Sequence, residues 1–243
     1  MRQFLAVLLF CGVLHAQTEL AHVTNPCITA CSMGTPSFTS PSFNDIGATL
    51  LTIEAYDLIG LGGNPPTVTC ATAGSPTGIH LYQDAGAVMA AEIFYFHAPS
   101  TSATETCTCT GQYGGCFIQA WASTGTYDTG VTSGAGGGCS GLCTGPITPN
   151  FVNDLLITII TCESNSAPTW IFPTNFYLID NIQYTLGSTE PSQAAGYTDP
   201  STSTINPTWT FGGGTCSNYL PIVAGFITTT AISRHHAYVI HSK

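Results

Sequence analysis

Ile205, Pro207, Trp209 and Phe211 alternate with Asn206, Thr208 and Thr210. A period of two marks a half-buried strand, and here the inner face is aromatic. Phe117, Gln119 and Trp121 interleave with Cys116, Ile118 and Ala120 in a more two-sided pattern. Leu155, Leu156, Ile157, Thr158, Ile159, Ile160 and Thr161 form an almost continuous apolar, β-branched run. Such a run predicts a central strand covered on both faces. Further strands are expected at 50–56, 66–73, 79–83, 90–97, 104–109, 181–186 and 220–228, with glycine and proline clusters between them. Helix support is confined to Glu190-Pro191-Ser192-Gln193-Ala194-Ala195, one turn at most. The pattern predicts an all-β fold, a single antiparallel β-sandwich in which Leu155, Ile157, Ile159, Trp209, Phe211, Ile222 and Phe226 share one interior.

The amino terminus follows another pattern. Arg2 precedes an apolar run from Phe4 to Leu14, which ends in His15-Ala16-Gln17. A short positive start, an apolar stretch and a small residue before the break describe a secretory signal peptide, cleaved after Ala16. The run falls short of the roughly 20 apolar residues of a spanning helix, and no later segment is long and apolar enough to span a bilayer. The expected organisation is a signal at 1–16, a Pro- and Ser-containing leader at 17–37, a sandwich domain at 38–230 and a tail at 231–243. The mature protein is then secreted or held at the cell surface.

Removing the signal also removes Cys11 and leaves Cys27, Cys31, Cys70, Cys107, Cys109, Cys116, Cys139, Cys143, Cys162 and Cys216. An even count in a secreted chain argues for disulfides, whose connectivity spacing leaves open. Cys139 with Cys143 and Cys109 with Cys116 are the local staples that the spacing suggests. A four-cysteine zinc site built from Cys27, Cys31, Cys139 and Cys143 is the rival reading.

Charge narrows the ligand classes. Only 7% of residues are charged, against about a quarter in ordinary domains. With Arg2 gone, two cations, Arg234 and Lys243, face 13 acids, a formal charge of −11 for the mature chain. That field repels nucleic acid. The sandwich body has no Lys or Arg to clamp a phosphate, sulfate or carboxylate, so its expected ligand is neutral, a glycan or another extracellular protein surface.

The order of segments carries a resemblance. Leu50-Leu51-Thr52-Ile53 is followed by Thr67-Val68-Thr69, by Ile93-Phe94-Tyr95-Phe96 ending in Ala98-Pro99, and by the segment from Phe117 to Trp121. Asn153-Asp154-Leu155-Leu156-Ile157, Gln193-Ala194-Ala195-Gly196-Tyr197, Trp209-Thr210-Phe211 and Ala224-Gly225-Phe226-Ile227 complete the series. This order, over about Phe38 to Thr228, resembles secreted bacterial β-sandwich modules of the jelly-roll or concanavalin-like kind, mostly of unassigned function. The resemblance implies a jelly-roll-like sandwich.

Candidate chemistry is sparse. Gly136-x-Gly138-x-x-Gly141 matches a dinucleotide fingerprint in form only, because it runs into Cys139 and Cys143 with neither strand nor helix beside it. No Gly-x-Ser-x-Gly elbow is present. A glycosidase needs two carboxyl groups facing one another; Glu54 and Asp57 alternate off one face, which leaves Glu54 with Glu92 across a sheet, or two solvated carboxylates. Sugar sites use aromatic faces beside amide and carboxylate groups, for which Trp170, Trp121, Tyr82 and Tyr113 are the candidates, followed by Tyr127 and Tyr197. Trp170, after Pro168, reads as an exposed loop residue. Calcium suits an acidic secreted domain, and Asp45, Asp154 and Asp180, each beside an Asn, offer oxygens that turn formation explains equally well. His235, His236 and His241 read as a basic tail more than as a metal site. The expected function is a secreted or cell-surface, non-enzymatic module with a structural or interaction role. A carbohydrate-binding module and an extracellular hydrolase are the alternatives, marked respectively by an exposed aromatic row and by a cleft with paired acids or a Ser-His-Asp set.

Overall fold

The computed structural model describes residues 18–26, 37–57, 67–83, 90–110, 114–122, 126–127, 132–133, 142–151, 154–166, 169–183, 192–198, 202–213 and 215–227. Among them there is no helix, and every paired strand is antiparallel. The strands are β1 (Thr18–Pro26), β2 (Ser37–Thr39), β3 (Leu50–Asp57), β4 (Thr67–Cys70), β5 (Gly78–Gln83), β6 (Ala90–His97), β7 (Cys107–Thr110), β8 (Gly114–Ala122), β9 (Thr126–Tyr127), β10 (Thr132–Ser133), β11 (Leu155–Ser166), β12 (Thr169–Ile171), β13 (Tyr177–Gln183), β14 (Ser192–Thr198), β15 (Thr210–Gly212) and β16 (Thr215–Ile227). A five-stranded sheet runs β1-β8-β3-β6-β5. A six-stranded sheet runs β10-β16-β11-β14-β13 with β9 also on β16, and two smaller sheets are β2-β7-β4 and β12-β15.

Every residue of β3 from Leu50 to Ala55 is buried, so that strand is covered on both faces. Leu51 and Ile53 lie opposite Phe96 and Phe94, and these pack with Val68, Cys70, Cys107 and Cys109 of the three-stranded sheet. Thr52, on the other face, lies opposite Tyr95. The Tyr95 ring meets Phe226 of β16 edge to face at 5.8 Å, which joins the five- and six-stranded sheets. Tyr95 also lies across Gly78 of the edge strand, where an added Cβ would run into the ring. Glycine there makes room for the aromatic side chain that touches the next sheet.

In the six-stranded sheet β11 sits between β14 and β16, and residues 155–160 are all buried. The single interior expected for Leu155, Ile157, Ile159, Trp209, Phe211, Ile222 and Phe226 needs correction. Leu155, Ile157 and Ile159 lie opposite Phe226, Ala224 and Ile222 on one face. Trp209 belongs to the other face, clustered with Ile160 and Trp170, while Leu156 and Val223 pack with Ile147 and Phe176. Thr158 is buried on that face; its hydroxyl donates to the Ile222 carbonyl (2.8 Å) and accepts the Trp209 indole N–H (3.2 Å). Burial alternates from Ile205 to Phe211 as the pattern predicted, yet only Thr210–Gly212 is a ladder strand. Isolated bridges tie Ile205 to Ile147 and Thr208 to Cys143, since Pro207 and Pro146 remove donors from any longer ladder.

Two further expectations are corrected. Residues 192–195, read as part of a helical turn, form the first half of β14, because pairing with β11 and β13 on both sides outweighs local propensity. Part of the segment expected as a leader forms β1, the edge strand on β8.

The disulfide between Cys70 and Cys107 joins directly opposed positions of β4 and β7 across a sequence separation of 37. It is neither of the local staples that spacing suggested. Cys109 and Cys143 are disulfide-bonded as well.

Truncation of Trp209 to Ala is expected to cost about 3–5 kcal/mol. Thr158→Val keeps the shape but strips the indole N–H of its acceptor, at about 1–3 kcal/mol. Urea unfolding measures both, and an unchanged Thr158→Val midpoint would contradict the assigned network. Replacing Cys70 and Cys107 together by Ala should lower stability by about 3–4 kcal/mol for a loop of this length, read as an earlier urea midpoint than that of the untouched protein.

Candidate interaction surface

β12 and β15 pair as a short ribbon with Trp170 opposite Phe211 and Ile171 opposite Thr210. Opposed residues of an antiparallel pair share a face. Trp170 and Phe211 therefore point inward: their rings meet edge to face at 5.8 Å, Trp170 meets Trp209 at 6.3 Å, and Phe211 stacks on Tyr219 at 6.1 Å. Ile171 falls on the outer face.

The chain then turns back. Phe176 N–H donates to the Pro173 carbonyl (3.0 Å), and Asn175 takes the left-handed conformation at φ 71°, which Asn tolerates better than most residues. Trp170, Pro173 and Phe176 are buried. Beside these buried residues Ile171 is 53% exposed, Phe172 38% and Tyr177 66%. Thr174, Asn175 and Thr210 are exposed alongside. From Ser164 to Ile179 the chain has no charged or histidine side chain. Three large apolar side chains are thus exposed within one seven-residue stretch that also supplies the buried Pro173 and Phe176, a segment called the ledge below.

Trp170, expected on the surface, is instead buried directly before the ledge. Its indole nitrogen is buried and has no hydrogen-bond partner among the described residues. Ile171, Phe172 and Tyr177 were not singled out by the sequence, although dense apolar residues around Pro173-Thr174-Asn175 were a usable signal: a turn cannot bury them all. Trp121 lies on β8 opposite Leu50 and Tyr82 on β5 opposite Ala91, so β3 and β6 stand between the two positions, and both belong to a different sheet from β12 and β15. Tyr127 lies opposite Phe226 and Tyr197 opposite Ile157. Tyr113, Cys27, Cys31, Cys139, the glycines 136–141 and the histidines 235, 236 and 241 lie outside the described residues. Cys116, Cys162 and Cys216 stand on β8, β11 and β16.

The carboxylates are placed differently from either sequence reading. Glu54 lies opposite Ile93, whereas Glu92 lies opposite Ala55. The two acids therefore occupy opposite faces of the sheet, and both are buried. They form neither a facing pair nor two solvated groups. Asp154 accepts the Phe151 N–H (3.2 Å), and Asp180 stands on β13 opposite Ala195. Asp45 is buried and accepts the Ser102 N–H (2.6 Å). Burial, and after it the negative charge of Glu105, hold the Asp45 carboxyl above the usual carboxylate range, against the opposing pull of the Ser102 hydrogen bond. The three calcium candidates thus lie on separate elements, and among the described residues no three His, Cys, Asp or Glu side chains gather as a metal site.

Glu105 has a constructive role. Its Oε1 accepts N–H groups of Thr72 (3.0 Å) and Thr106 (2.8 Å), and its Oε2 those of Ala73 (2.9 Å) and Thr72 (3.1 Å). One carboxylate thereby ties the turn after β4 to the entry of β7. Compared with known protein families, curated proteins and solved structures, the chain matches none.

Glu105→Gln replaces an accepting oxygen by an NH2 group facing backbone donors, and is expected to cost about 1–3 kcal/mol at pH 7. Chemical unfolding of the variant beside wild type measures it, and equal midpoints would show that the carboxylate does not hold this turn.

Proposed function

We propose that this protein is an exported, non-enzymatic interaction module, a jelly-roll-like β-sandwich that docks a neutral partner on the ledge of Ile171, Phe172 and Tyr177. The observation that carries the reading is the ledge itself: three large apolar side chains exposed within seven residues, beside buried ones, in a charge-free stretch. Exposed apolar clusters rimmed by polar groups mark interaction surfaces, and anchoring by buried neighbours lowers the ordering cost of binding. Export is supported by the amino-terminal apolar run and by the disulfide-bonded cysteines, which persist in oxidising compartments. The sandwich is supported by the Tyr95–Phe226 contact between the two larger sheets.

Within this reading a neutral glycan is favoured by Tyr177 and Phe172, aromatic surfaces with Thr174 and Asn175 as hydrogen-bonding neighbours. Another extracellular protein surface is the alternative occupant.

Mature protein and the Phe172→Ser/Tyr177→Ser variant are to be assayed against cellulose, chitin and starch, against heparin and DNA, each with and without calcium, and for self-association by sedimentation. Wild type is expected to bind a neutral polysaccharide or to self-associate, and the variant to lose at least about tenfold, the loss of one to two well-packed anchors. Tight, salt-sensitive binding of heparin or DNA, or a neutral-ligand affinity unchanged in the variant, would overturn the proposal.

A further inference from the structure

From position 3 to position 233 the chain contains neither Lys nor Arg. Inside that stretch Asp45, Glu54, Glu92, Glu105 and Asp154 are nevertheless buried. A buried carboxylate is ordinarily held ionised by a cation, and acid then unfolds the protein by protonating such pairs and leaving many cations to repel one another. Here neither route is built in with Lys or Arg. Between the predicted cleavage site and the tail, His22, His80 and His97 are the only side chains that acid makes positive. Glu105, Asp45 and Asp154 accept hydrogen bonds from backbone N–H groups, which do not titrate as the medium is acidified.

Asp45 and Glu105 are two such acids on neighbouring segments, and the charge of Glu105 acts on Asp45. Their segments are joined through a bridge, Phe43 N–H to the Glu105 carbonyl (2.9 Å) and Glu105 N–H to the Phe43 carbonyl (2.8 Å), and Asp45 N–H donates to the Ser102 carbonyl (3.1 Å). Residues 40–48, 71–74 and 100–106 have no titratable side chain besides these two, and β1, which packs on the same cluster through Ala21 and Val23, adds Glu19 and His22. Three backbone amides occupy both Glu105 oxygens as acceptors. Asp45 Oδ2 is buried with no hydrogen-bond partner among the described residues.

We propose that this protein is built to work at acid pH, with the buried Asp45–Glu105 pair carrying one proton, held on Asp45 Oδ2. The proton removes one of two like charges that share a site without a counter-ion. It leaves the Ser102 bond to Oδ1 and every amide bond to Glu105 in place. The direction of the Asp45 shift agrees. A carboxyl held above its unfolded value of 3.8 contributes stability that is full below that value and is lost as pH rises through the folded-state value. This is the reverse of the usual salt-bridged aspartate.

The test is thermal unfolding of the full mature protein, disulfides intact, by circular dichroism at pH 7, 5 and 4 and constant ionic strength. Wild type is expected to melt no lower at pH 4 than at pH 7. Asp45→Asn, which keeps the acceptor for Ser102 and removes the charge, should raise the melting temperature at pH 7 by about 2–4 °C and converge on wild type at pH 4. A wild-type melting temperature that falls steadily from pH 7 to pH 4 overturns the proposal, as does an Asp45→Asn variant equally destabilised at both. If the variant fails to fold, the wild-type curve decides alone.

Discussion

Because the side chains of β3 from Leu50 to Ala55 are buried without a break, the strand gains its stability only when both of its faces are covered. Much of the architecture follows from that constraint. The β2-β7-β4 sheet covers one face through Val68, Cys70, Cys107 and Cys109, and β16 approaches the other at Tyr95. The covering elements come from distant parts of the chain: β7 pairs with both β2 and β4, and β1 reaches β8. Pairings of this kind close long loops before contacts reward them, which gives the Cys70–Cys107 cross-link its place between β4 and β7.

A strand buried on both sides leaves few places for charge, and the composition follows suit. At three of the buried carboxylates, backbone amides take the part that Lys or Arg usually plays. Glu105 binds the turn after β4, Asp45 binds Ser102 and Asp154 binds Phe151. Side chains fastened to amides act as local clasps on loops, and the sheet ladders supply the remaining order. Thr158 does similar work within a strand, where one hydroxyl serves both the Ile222 carbonyl and the Trp209 indole.

Strands whose side chains decide their fate were legible in the sequence. The apolar run of β11 is a central strand, β6 spans the expected 90–97, and burial alternates from Ile205 to Phe211. Strands made by their neighbours were not. β14, with Ala194, Ala195 and Gly196, has little β preference of its own and exists because β11 and β13 flank it. The relation of Glu54 to Glu92 turned on a one-residue question of register, which composition cannot answer and which reverses the face of every side chain. At the candidate surface the aromatic density near Trp170 was visible, but which rings face outward depended on the Pro173–Phe176 turn and on the pairing of β12 with β15.

The absence of Lys and Arg from the sixteen strands of the described residues has a consequence outside folding. Proteases of the trypsin type cut only after Lys or Arg, reading the side chain in a pocket built for its charge. Such an enzyme finds no scissile bond from residue 3 to residue 233, in the native protein or in a fully unfolded one. Most proteins resist digestion only for as long as they stay folded. Against this one class of enzyme the domain is protected by its covalent sequence, and a damaged or reduced molecule is as safe as an intact one.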